Sequence, residues 1–189
     1  MIFHYAGKYS GNPDDLPYLE HEPGAVAFKE APDSKSLGRL ANTISIILLI
    51  VFYAIICLRA HALVFNIVGV IIYMLSLVPH EFIHAMCFKG DVYMFQNLKD
   101  GMLFVASPER MSKAKFIFMC MLPSIILAFI PFIIYMIRPE FTALGMMAVF
   151  GIGSGAGDYY NVYNALTQVP RGGWVYGHKF NTYWYMPKK

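Results

Sequence analysis

Hydrophobic and polar positions along this chain fall into long blocks. Residues 1–39 are mostly polar, with breaker clusters at "GNPDDLP" and "EAPDSKS". Four apolar runs follow, at about 40–58 ("LANTISIILLIVFYAIICL"), about 62–86 (opening "ALVFNIVGV"), about 115–137 and about 141–166. Each reaches the roughly 20 residues a bilayer-crossing helix needs. Between the second and third runs, "DVYMFQNLKDGMLFVASPE" holds two β-prone stretches around Asp100-Gly101, a strong hairpin turn signal. A hairpin is expected at about 91–107. The last stretch is aromatic and basic. Its "WVYGHKFNTYWYM" reads as a segment lying at the membrane interface, or as a cover over the mouth of a site.

The expected fold is therefore an all-α membrane protein, with four transmembrane helices and one short cytoplasmic β-hairpin between helices 2 and 3. It divides into an N-terminal arm (1–39), a helical domain (40–166) and a tail (167–189).

Composition strengthens the membrane reading. Hydrophobic residues make up 57% of the 189 and charged residues only 14%, where a soluble domain carries about one quarter charged. Of the 15 Lys and Arg, all but Arg59 and Arg138 fall in the arm, in the 88–114 connection with Lys115 at its end, or in the tail. Basic residues collect on the cytoplasmic side, so both termini and that connection are expected there. The first 39 residues lack the basic-then-apolar layout of a secretory signal. A formal charge of +3 is too small to suggest nucleic-acid binding, and no nucleic-acid partner is expected. Cys57, Cys87 and Cys120 lie scattered in or beside apolar runs without a CxxC pair, and read as small buried hydrophobes.

Near the end of the second run stands "HEFIH". Positions i and i+4 share one helix face, so His80 and His84 can grip one metal ion. Glu81 adjoins the first ligand, placed to take a proton from a water that the metal has acidified, and to deliver it to a leaving amine. Ionisable groups at this depth are costly and usually functional. Pro79 removes a backbone hydrogen bond just before the motif; the resulting bend serves either water access or packing.

A catalytic zinc takes three protein ligands and keeps one open position. Asp158 is the candidate for the third. With the second run entering at about Ala62 and the fourth at about Phe141, His80 and Asp158 both lie roughly 26 Å from the outer ends. A lone carboxylate there is expensive unless a metal, a basic partner or the interface relieves it. Glycines at 151, 153, 155 and 157 either let the fourth run approach the second closely or loosen its helix. Asn161, one turn beyond Asp158, can donate to a substrate carbonyl or to a ligand, or can serve helix packing. His178, Glu109, Asp91 and Asp100 are weaker candidates, and His4, His21 and His61 read as ordinary polar residues.

These segments carry a family resemblance. "VPHEFIHAM" followed by "GSGAGDYYNVYNAL", with "PGAVAFKE" in the arm and "TYWYMP" in the tail, resembles the putative zincin peptidases, small bacterial membrane proteins. The likeness runs over nearly the whole chain. More remotely, the layout is similar to site-2 intramembrane zinc proteases. The resemblance implies Zn²⁺ held by His80, His84 and Asp158, with Glu81 catalytic. The chain has "AGDYYN" where site-2 proteases carry "LDG" or "NPDG", and it has no PDZ-like domain. The metal site therefore transfers more directly than any substrate.

The leading reading is a zinc-dependent intramembrane peptidase of the bacterial cytoplasmic membrane, working on a peptide or membrane-protein substrate among lipids. The alternative is a non-catalytic membrane protein whose metal serves folding or partner binding; such a site would be closed by a fourth protein ligand. A metal transporter needs polar residues across the bilayer, and the outer halves of the four runs offer almost none.

Overall fold

The computed structural model describes residues 1–97 and 102–188. Helix α1 (Ser34–Ala60) opens on Asp33, whose carboxylate accepts from the Ser36 N–H at 2.7 Å, and closes on His61 in the left-handed conformation. Its 27 residues span about 40 Å. Helix α2 (Ile67–Met86) opens on Asn66, whose side chain accepts from the N–H groups of Val68 and Gly69. The Asn66 amide also donates to Thr142 at 2.8 Å, joining the starts of two helices. Helix α3 (Lys113–Ser124) passes through a π-helical stretch (Ile125–Phe129) into α4 (Ile130–Ile137), forming one rod. Helices α5 (Thr142–Ser154) and α6 (Ala156–Gln168) complete the helical part.

Three helices are long and apolar enough to cross a membrane: Lys35–Ala60, Ile67–Met86 and Lys113–Ile137. The expectation of four crossing helices is corrected at the fourth run, which breaks at Gly155. The 13 residues of α5 cover only about 20 Å of a roughly 30 Å hydrocarbon core. It survives as a short helix because protein surrounds it. Gly145 to Val149, Ile152 and Gly153 are buried against α1, α2 and α4. A Cβ on Gly69 of α2 would collide with the Ala143 backbone, and one on Gly153 would lie 2.7 Å from Leu49 of α1. Tyr135, fully buried, donates to the Ile56 carbonyl at 2.9 Å inside a core of Ile56, Val64, Met146 and Val149. By contrast α2 turns Ile71, Met74, Leu75 and Val78 outward, all more than half exposed. That apolar stripe is what a lipid-facing surface requires.

The larger correction concerns fold class. The chain is mixed α/β: seven strands among the described residues form two sheets. Strand β1 (Ile2–Lys8) pairs in parallel with β3 (Asp91–Asn97), which pairs antiparallel with β4 (Met102–Ala106), in the order β1-β3-β4. The two strands of the expected hairpin are thus present; its Asp100-Gly101 turn lies outside the described residues. The second sheet orders β2 (Val26–Ala27), β7 (Asn181–Tyr185), β6 (Trp174–His178) and β5 (Met111–Ser112). The aromatic tail is therefore a hairpin, turning at Lys179 in the left-handed region (φ 55°). Alternating aromatics suit a strand face, but the partners lie far away in sequence. Arm, connection and tail are consequently bonded to one another, at one end of the helices.

Candidate metal centre

The second half of α2 carries His80, Glu81 and His84, and the first turn of α6 carries Asp158. Helical periodicity puts the two imidazoles together: their Nε2 atoms are 3.2 Å apart. The break at Gly155 lets α6 start where its first turn faces them. Asp158 Oδ2 lies 3.1 Å from His80 Nε2, and its Oδ1 lies 3.3 Å from His84 Nε2. Gly155 also fits a tight corner, since a Cβ there would meet Ser124 Oγ and Tyr159 Oη at 2.7 Å each.

His84 is buried, and its Nδ1 lies 2.9 Å from the Met119 carbonyl oxygen of α3. A carbonyl only accepts, so Nδ1 carries the proton and Nε2 presents a lone pair. That lone pair faces another imidazole nitrogen and a carboxylate oxygen. These three ligand-type atoms converge on one point, within hydrogen-bond reach of one another. A cation could sit between them, and the Met119 carbonyl would then orient the His84 ring from behind. The spacing fits as well. Ligand atoms about 2.0–2.1 Å from a tetrahedral zinc lie roughly 3.3–3.4 Å from one another, against the 3.1–3.3 Å found here.

Glu81 belongs to the same cluster: ligand atoms of His80, Glu81 and His84 all lie within 4.8 Å of one another. Two carboxylates thus compete for the third ligand position. Asp158 bridges both imidazoles directly, whereas the Glu81 carboxylate is hydrogen-bonded by the backbone of Val105 in β4. Asp158 is thus the carboxylate in contact with both imidazole Nε2 atoms.

All four side chains line a cavity of about 280 Å³, together with Cys120 of α3 and Leu103, Phe104 and Val105 of β4. Asn161 is on its wall, beside Gly157. The weaker candidates lie elsewhere. His178 stacks on His21 at 4.1 Å and donates to the Leu19 carbonyl, while His4 pairs with Asp91. Glu109 pairs with Lys115 at 2.8 Å, and Asp100 is outside the described residues. The Met119 carbonyl, Cys120 and the β4 backbone are site groups that no local pattern signals.

A family model described as putative zincin peptidase matches residues 73–174, and the chain belongs to that family. The matched span runs from the middle of α2 to the first residue of β6 and contains His80, Glu81, His84 and Asp158. The description points to a zinc metallopeptidase. No curated protein and no solved structure matches the chain, and the remote likeness to site-2 proteases is not shown by these comparisons.

Proposed function

We propose that this zincin-family chain is a zinc-dependent intramembrane peptidase, with His80, His84 and Asp158 as metal ligands and Glu81 as general base and then acid. The convergence of two imidazole Nε2 atoms and one carboxylate, 3.1–3.3 Å apart, on a cavity wall carries this reading. A zinc ion there supplies a Lewis acid for a peptide carbonyl and lowers the pKa of a water toward about 7.

The rest is work for the chain's own residues. Glu81 accepts the water's proton and passes it to the leaving amine. The Val105 backbone holds its carboxylate in place. Asn161, with its amide on the wall, donates to the substrate carbonyl. Strand β4 ends its sheet among the described residues and lines the cavity, so an extended peptide can add to it as a further strand. A helical substrate must unwind first, because its backbone groups are otherwise occupied.

The setting follows from the same elements. Arm, connection and tail, joined in two sheets, lie on the cytoplasmic side of a bacterial membrane, with both termini there. Three helices cross, and the α5–α6 pair returns the chain. A closed structural metal site would need a fourth protein ligand; His178 is engaged with His21 and Leu19 instead, which leaves Glu81 or Asn161 on the wall to close it, and metal coordination geometry separates the two readings.

Two variants test the assignment side by side, by zinc content and by cleavage of membrane-peptide libraries. Glu81→Gln should keep one equivalent of zinc and lose activity by about 10²–10⁴-fold. Asp158→Asn should lose zinc affinity and activity together. Full zinc retention in Asp158→Asn removes the carboxylate from the ligand set, and equal cleavage by wild type and Glu81→Gln ends the mechanism.

A further inference from the structure

Beside the metal cavity opens a second one, also of about 280 Å³. Phe104, Val105 and Asn161 belong to both walls. Along β4 the lining passes from Leu103, on the metal cavity, through Phe104 and Val105, to Ala106 on the second. Strand residues advance about 3.3 Å each. A peptide laid along β4, with its scissile bond at the histidines, therefore puts a side chain into the second cavity within one or two residues.

The walls of that cavity are largely apolar, with Tyr9 and Leu16 of the arm, Leu37 of α1 and Phe180 of the β6–β7 turn. Glu30 stands among them. Its Oε1 accepts from the Thr182 N–H at 2.6 Å and the Asn181 amide at 3.3 Å, and the Thr182 side chain also hydrogen-bonds the carboxylate. Glu30 forms no ion pair with a Lys, Arg or His among the described residues. The other charge on the wall, Lys179, is already held by Asp14 at 2.5 Å, and its Nζ lies 5.7 Å from the Tyr18 ring centre. The cavity thus presents one uncompensated negative group in apolar surroundings. Burial pushes the Glu30 carboxyl above its ordinary range, against the pull of the Thr182 N–H and the Asn181 amide. A cation beside the carboxylate would relieve the cost of keeping it ionised.

We propose that this second cavity is a specificity subsite for a cationic group of the substrate, with the Glu30 carboxylate as its acceptor. The group is a Lys or Arg side chain one or two residues from the scissile bond, or a free amino terminus at the same place. The inference rests on the peptidase reading above, since that reading supplies the peptide along β4.

The test uses the full chain in detergent, with Glu81→Gln to stop turnover, and fluorescent peptides with acetylated amino termini. Pairs differ only by Lys against norleucine, walked through each position. A further arm carries norleucine and a free amino terminus ending at the same place. One of the two cations should bind roughly tenfold tighter than its neutral counterpart. Adding Glu30→Gln, which keeps an oxygen for Thr182 and Asn181, should bring that ratio to about one. Equal binding of charged and neutral peptides to the Glu81→Gln protein overturns the subsite without any variant at Glu30. So does a ratio that survives Glu30→Gln. If cationic preference is found while the wild-type protein leaves every bound peptide uncut, the peptidase reading falls and the subsite stands. Cleavage without cationic preference means the reverse.

Discussion

Helices α2 and α5 come from apolar runs that hydropathy alone treats alike, yet they occupy different surroundings. Helix α2 keeps one face outward, with Leu75 at 71% exposed, while α5 buries a run of five consecutive residues from Gly145 to Val149. The difference shows what sets the length of each. A helix that meets lipid must cover the hydrocarbon with its own backbone bonds satisfied. A helix wrapped by α1, α2 and α4 is shielded by them and can stop at 13 residues. Stopping there frees the chain to restart as α6, and that restart aims Asp158 at the α2 histidines. The candidate metal centre thus joins a helix with an exposed apolar face to a helix pair supported by protein.

The contrast breaks first where the two helices touch. Gly69→Leu inserts a side chain against the Ala143 backbone and the Met146 Cβ, which a Cβ alone would meet at 2.8 Å. Backbone cannot yield as a flexible side chain can. The expected loss is about 3 kcal/mol, read as a lowered thermal unfolding midpoint in detergent, with zinc affinity falling because α5 and α6 shift away from His80. A midpoint within a degree of wild type would mean that the α2–α5 contact is looser than its geometry.

A smaller effect is expected at the far end of α2. Glu109 accepts from the Lys89 and Gly90 N–H groups just after the helix and from Lys115 at the start of α3. Burial would raise its carboxyl, but Lys115 and those N–H groups hold it below the ordinary range. A depressed folded-state pKa stabilises fully above the unfolded value, near 4.3, and the stabilisation is lost as pH falls through the folded value. Glu109→Gln should therefore cost about 1 kcal/mol at pH 7. The gap between the two unfolding curves should close as pH drops below about 4. A gap independent of pH would assign the effect to shape, not charge.

The smallest effect is expected on the outer face. Leu75→Ala removes a side chain that touches little protein, so stability in detergent should change by less than about 0.5 kcal/mol. A loss several times larger would place Leu75 in a contact with another chain and would end the reading of this stripe as lipid-facing.

What the sequence determined by itself is local. The i, i+4 spacing of His80 and His84 is a property of any helix, so the pairing of the imidazoles could be read before the fold. The ends of the third run were equally legible, because twenty or so apolar residues have one cheap conformation in a bilayer. The hairpin strands followed from β-prone runs about a turn signal. Other features needed the tertiary structure. Ile2 pairs with Asp91, and Val26 with Trp184. Such registers are chosen by burial and edge bonding between distant segments, so the arm and tail gave no local sign of their sheets. The four glycines of the fourth run left both a tight packing surface and a broken helix open. Only the crowding of Gly155 by Ser124 and Tyr159 decided for the break. The meeting of Asp158 with His80 and His84 depends on that break, on the packing of α5 and on the Met119 carbonyl behind His84. Three-body geometry of that kind belongs to the assembled core, and no single stretch of chain encodes it.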